Sequence, residues 1–199
     1  MLSEMVKELQ NKKNNFQFTT EDYILYILSK LPNEKSTPLY LNKVAFLTEF
    51  AYKFKTFSDL SDAQYAAINL GPVINDYNRI LDKMHDSEKL ERVGRKQLFP
   101  KQQPGFTIPE EIKLIIDPLI EHYSHMSIGE LIKLTHETDS YTITTNGGKV
   151  MSKIIDKDLT HLDMIFAGDQ IEEIPEIDED KLPVFKRDEL IKYDFRQSV

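Results

Sequence analysis

The chain has 199 residues, 40% hydrophobic and 29% charged, with no cysteine and a formal net charge of -8. That length and hydrophobic content suffice for one buried core and exclude a wholly disordered chain, while the missing cysteine excludes disulfides, thiol nucleophiles and thiolate metal sites and suits a reducing, cytoplasmic setting. The acidic balance disfavours a protein that coats nucleic acid, serving either solubility or steering toward a basic partner, and the chain has neither the roughly 18 apolar residues in a row of a membrane span nor the layout of an export signal.

Residues 1–18 carry Leu2, Met5, Val6 and Leu9 at helical spacing, followed by the polar run Asn11 to Asn15, so a short amphipathic helix and a loop are expected. Thr19 stands three residues before Asp22, close to a capping box, and Ile24, Ile27, Leu28 and Leu31 give the next helix one apolar stripe that ends at Pro32. Pro38 suits the first turn of a third helix, where a missing amide hydrogen costs nothing, and this helix should run to about Phe57. Tyr40, Val44, Leu47, Ala51 and Phe54 form one stripe along it, and Leu39, Phe46, Phe50 and Phe57 form a second. A helix apolar nearly all round belongs at the centre of its domain.

The run Asn69-Leu70-Gly71-Pro72-Val73 is expected to turn the chain, because glycine relaxes the backbone and proline fixes it. It should lead into a helix with Ile74, Tyr77, Leu81 and Met84 in phase until near His85. Lys89 to Phe99 alternates imperfectly around Gly94 and reads as a small hairpin, limited by Pro100 and Pro104. Thr107 with Glu110 has the spacing of a capping box, and Ile112, Ile115, Ile116, Leu119, Ile120 and Tyr123 make a helical stripe. Pro118 cannot bond the carbonyl of Leu114, so that helix is expected to kink or divide. Ser127 with Glu130 is a second capping box, opening a shorter helix through Ile128, Leu131, Ile132 and Thr135 that ends near His136.

Further on, Thr142 to Thr145 is β-prone, Asn146-Gly147-Gly148 is a turn, and Val150, Ile154 and Ile155 begin a last short helix. Asp169 to Asp180 is acidic, contains Pro175 and has no basic residue, which reads as an extended or partly disordered arm. On it Ile171, Ile174 and Ile177, interleaved with Glu172 and Glu173, are spaced anchors for a groove of the same chain or of a partner. The expected fold is mainly α: a compact helical domain around a buried helix at about 38–57, with a small β-hairpin or short strands and the acidic arm.

Chemistry finds little purchase. His122 and His125 share a helical face and could hold a metal with a third ligand, but no His-Glu-x-x-His frame exists and a solvated helix end accounts for both. Asp156, Asp158, Asp163 and Asp169 could pair for acid–base work or hold magnesium, yet they lack a frame and fit solvated surface. Lys12 with Lys13, and Arg92, Arg95 and Lys96, are small basic groups without the aromatics or helix-turn-helix of a nucleic-acid site. Phosphate loop, serine elbow and kinase signatures are missing, so no catalytic residue, metal or cofactor is assigned.

Three segments in order carry a resemblance: the aromatic helix from Leu41 to Phe54, then Ala66-Ala67-Ile68-Asn69-Leu70-Gly71-Pro72-Val73, then Ser127-Ile128-Gly129-Glu130-Leu131-Ile132-Lys133-Leu134-Thr135-His136. Together they resemble the Panacea (SocA-like) antitoxin domain, whose Gly-Pro-Val turn and Ser-x-x-Glu-Leu-x-x-x-Thr-His helix are matched by Gly71, Pro72, Val73, Glu130, Leu131, Thr135 and His136. Leu70 stands where the family more often has an aromatic, and Asp139-Ser140-Tyr141 replaces its frequent Pro-Trp, with Tyr141 able to take over the packing. The resemblance spans roughly Thr19 to Tyr141, which divides the chain into an N-terminal helix and loop (1–18), a core (19–141) and a C-terminal extension (142–199). It implies an antitoxin, often carried by phages or mobile elements, that neutralises the toxin of an adjacent gene by direct binding, as a homodimer or hetero-oligomer. The alternatives are an adaptor that delivers a client to a bacterial protease, or a phage-encoded inhibitor of a host protein. His136 at a helix end reads as a hydrogen-bonded cap, favoured when protonated by the helix dipole.

Overall fold

A computed structural model describes residues 18–94, 97–105 and 107–168. Helix starts follow local chemistry. Thr19 accepts from the Asp22 amide to open α1 (Thr20–Lys30), and Thr37 accepts from the Tyr40 amide to open α2 (Pro38–Thr56), with Pro38 in its first turn. Every residue of α2 from Leu41 to Lys53 is buried. The Phe46 and Phe50 rings lie 4.1 Å apart, and each meets Tyr65 edge-on, at 5.4 and 5.7 Å. Such aromatic packing adds to the burial of their area. The expected central helix is therefore in place, and the expected mainly helical class with short strands holds.

A charged residue inside that helix needs partners, since an uncompensated buried charge is strongly destabilising. Glu49, fully buried, accepts from the Leu60 and Ser61 amides at 3.1 Å, the Ser61 hydroxyl at 2.6 Å and Lys157 Nζ at 2.7 Å. One carboxylate thus ties the loop after α2 and the 3-10 turn Lys157–Leu162 to the core.

Phe57 departs from its expected stripe. It caps α2 in the left-handed region at φ 59, which swings its side chain off the helix face; the ring is 77% exposed and stacks on His161 at 4.9 Å. Gly71-Pro72-Val73 departs as well. It forms, with Ile74, strand β2 (Gly71–Ile74), antiparallel to β1 (Tyr65–Ile68), and only Asn69-Leu70 turns. Pro72 is tolerated because β2 is an edge strand and the missing amide breaks no ladder bond. The helix after it, α3 (Tyr77–Asp86), begins later than expected, behind a left-handed Asp76.

The hairpin expected at 89–99 is present as β3 (Leu90–Val93) paired with β4 (Gln97–Pro100). Helix α4 (Glu110–His125) lacks the Thr107 cap: its N-cap position is Pro109, with no side-chain bond. Ile108 precedes that proline and is pushed out of the helical region, so the helix cannot start early enough for Thr107. Nor does Pro118 divide α4; Leu114 and Pro118 are both exposed, and the carbonyl left without a partner lies on the solvent side. Helix α5 (Ile128–Glu137) opens with the expected Ser127–Glu130 box, both bonds present.

The β-prone run at Thr142 is helical, within α6 (Asp139–Thr144), because Thr138 caps it and Tyr141 is buried beneath it. Ile154 and Ile155, expected to begin a helix, instead form β5 (Ile154–Ile155) on the free side of β1, giving the order β2-β1-β5. Pairing with a distant strand outweighs local preference here. The helix expected at Leu2 to Leu9, the basic residues Lys12, Lys13, Arg95 and Lys96, and the acidic arm with Ile171, Glu172, Glu173, Ile174 and Ile177 lie outside the described residues.

Candidate functional site

Two neighbouring polar side chains on α2 reach the outer edge of β2. Lys43 Nζ donates to Pro72 O at 2.8 Å, and Asn42 accepts from the Ile74 amide at 2.6 Å while its own amide donates to Pro38 O. Pro72 brings no N–H of its own, so the edge is closed to a further strand. Lys43 is fully buried, and burial drags its amine down to about 7; removing the charged form from water is the physical cause.

Helix α5 closes this cluster from the other side. Gly71 has φ +87, and a Cβ there would lie 2.7 Å from Thr135 Oγ1, 3.0 Å from Lys43 Nζ and 3.4 Å from His136 Cε1. Glycine is needed twice over, for the left-handed backbone and for the close approach of three side chains. Thr135 donates to Ile132 O at 2.9 Å; His136 Nδ1 lies 2.7 Å from the same oxygen, and its Nε2 lies 3.2 Å from Asn69 O. The Tyr141 ring meets His136 edge-on at 4.7 Å and its hydroxyl donates to Ile68 O at 2.8 Å, so it packs where an aromatic was expected.

The structure therefore brings Gly71, Pro72, Thr135 and His136 together. Glu130 stays apart at the start of α5, where hydrogen bonding to the Ser127 hydroxyl and amide lowers its carboxyl, and Leu131 is core. Sequence reasoning missed Asn42 and Lys43. The available signal was two polar residues in the middle of a helix apolar all round, which must find partners.

On the outer side of the same hairpin lies an apolar groove of about 430 Å³, walled by Leu39, Tyr40, Ile68, Leu70, Val73 and Tyr77. Ile128, at the start of α5, lines it as well. Leu70, at the turn, is 52% exposed. Val73 thus joins the groove rather than the polar cluster behind it. A larger cleft of about 610 Å³ around Glu21, Lys83 and Lys89 is polar, but both lysines pair with Glu21, at 2.7 and 2.5 Å. Those two bonds, Lys83 first, hold the Glu21 carboxyl below its ordinary value. With these charges answering each other, the cleft offers less to a ligand than the apolar groove does.

The remaining candidates take structural parts. His122 and His125 are exposed on α4, and His125 Nδ1 is 2.8 Å from Glu121 O. Asp156 caps the 3-10 turn, Asp158 pairs with Lys53 at 2.6 Å, and buried Asp163 accepts from the Ser140 amide at 2.9 Å. Arg92 pairs with Asp82 at 2.6 Å. Among the described residues no group of three or more metal-ligating side chains converges, and no helix is long and apolar enough to cross a membrane.

Residues 41–140, from α2 to the start of α6, match the family model described as Antitoxin SocA-like, Panacea domain. No curated protein and no solved structure matches the chain.

Proposed function

The chain belongs to the SocA-like antitoxin family with a Panacea domain, and on that premise we propose that it neutralises a cognate protein toxin, the product of an adjacent gene, by direct binding in the cytoplasm. The toxin inserts apolar side chains into the groove between α2, the β1–β2 turn and α3. The observation that carries this reading is the family match itself, since residues 41–140 include Asn42, Ile68, Leu70, Val73, Tyr77 and Ile128 of that groove. Two tyrosines in an apolar groove suit an interface, because aromatic anchors in desolvated pockets dominate binding energy. The closed edge of β2 rules out strand addition there, so the partner docks through side chains.

On the same reading residues 19–141 are the common platform, and the segment holding Ile171, Glu172, Glu173, Ile174 and Ile177 reads the particular toxin. No bond is made or broken. Coexpression with the adjacent gene product provides the test: alone it should arrest growth, and this chain should rescue growth and copurify with it. Leu70→Asp, which puts a charge in the groove and leaves the core alone, should abolish both effects without lowering the melting temperature. A harmless gene product, or full rescue by L70D, overturns the proposal. Rescue through loss of toxin protein that requires a host protease would assign the adaptor role instead.

A further inference from the structure

The contact that joins α5 to the β1–β2 turn is an imidazole with a carbonyl on each side. His136 Nδ1 lies 2.7 Å from Ile132 O and Nε2 lies 3.2 Å from Asn69 O. A carbonyl oxygen only accepts, so both contacts are hydrogen bonds only when both ring nitrogens carry hydrogen. A neutral ring has a single N–H. With hydrogen on Nδ1, the bare Nε2 faces the Asn69 oxygen; with hydrogen on Nε2, the bare Nδ1 faces Ile132. Ile132 is four residues back in the same helix, whereas Asn69 is 67 residues away in the turn. The shorter contact lies within the helix, so the tie between elements is the one that depends on charge.

We infer that His136 is a charge-dependent latch: the imidazolium holds the Asn69-Leu70 turn against α5, and the neutral ring releases it and with it the Leu70 wall of the apolar groove. The ring is a positioning group for that wall. This inference concerns the free protein and stands apart from the toxin-binding reading. From α6, Tyr141 presents its ring edge at 4.7 Å, and the Thr142 hydroxyl donates to the His136 carbonyl. From α2, Lys43 stands across Gly71. On α5 itself Lys133 pairs with Glu137 at 3.8 Å, and the flanking acids Glu137 and Asp139 are exposed.

The test is an NMR titration of the full-length, nitrogen-15-labelled protein over about pH 5 to 8.5, the range in which imidazoles titrate. Long-range ring spectra should show both His136 nitrogens protonated at the acid end, and the Leu70 and Gly71 amides should shift with the ring's own midpoint. Exchange of the Gly71 amide, corrected for its intrinsic rate, should rise by about tenfold as the ring loses charge, the weight of one charge-assisted hydrogen bond. In H136Q any turn titration that remains should belong to Lys43, which stands across Gly71, and in the H136Q/K43M double variant the turn signals should no longer titrate. Lys43 changes charge in the same interval, so K43M serves as a second variant in which the turn should still follow the ring. Turn amides that stay still while the ring titrates in the unaltered protein overturn the inference, as does a turn titration that survives in the H136Q/K43M double variant or vanishes in K43M.

Discussion

At Gly71 three elements of the fold come within touching distance, and adding one methyl group there has a calculable cost. The backbone at φ +87 strains any L side chain, a penalty of about 1–2 kcal/mol. The new Cβ would meet Thr135 Oγ1 at 2.7 Å and Lys43 Nζ at 3.0 Å. Neither can retreat freely, for both residues are fully buried, the hydroxyl donates to Ile132 O and the amine to Pro72 O. Overpacking of that kind costs about 1–3 kcal/mol. Gly71→Ala should therefore lose about 2–5 kcal/mol, which for a chain of this size lowers the melting temperature by roughly 5–15 °C. Gly94→Ala is the control: its φ is +61 and nothing lies within 4 Å, so it should lose only the backbone contribution of about 1 kcal/mol, a few degrees. Thermal unfolding followed by circular dichroism compares the two. Equal losses would show that the hairpin does not press on α5 and α2 as described.

Lys43 predicts a pH dependence. Burial holds it at about 7 against an ordinary 10.5, so between those values the unfolded chain binds the extra proton and stability rises with pH. The full difference is at most about 5 kcal/mol, present as a cost below about pH 7 and relieved progressively above it. Urea unfolding at pH 7, 8 and 9 should show the rise, and K43M should flatten it; an unchanged slope in K43M would be the contrary result. Phe46→Ala and Phe57→Ala should differ sharply in the same assay: about 3–5 kcal/mol for the fully buried ring, and within about 0.5 kcal/mol for Phe57, at 77% exposure. A large loss at Phe57 would mean that its stack on His161 carries structural weight.

What could be read along the chain was what is decided within a few residues. Thr19 caps its helix from the adjacent position, Pro38 marks the first turn of α2, Ser127 and Glu130 complete a box across three residues, and the all-apolar surface of α2 announces its burial. Even the failure of the Thr107 cap is local, once Ile108 is seen to precede Pro109. The candidate site was legible as a pair of motifs but not as a place, because Gly71 and Thr135 belong to separate elements that meet only in the folded chain.

Sequence by itself determined the helical class, three of the six described helix starts and the buried centre, because capping bonds and a 3.6-residue apolar period are properties of contiguous residues. Tertiary structure decided the rest. The hairpin of β3 and β4 showed itself through alternation about Gly94, but β2 and β5 carry no such local signal and exist through β1, and Thr142 joins a helix because Tyr141 beneath it is buried. The assignment of Lys43 to Pro72 O and of His136 to Asn69 O spans 29 and 67 residues. Bonds over such separations are selected by packing in space, where a buried donor must take the acceptor that the fold brings to it.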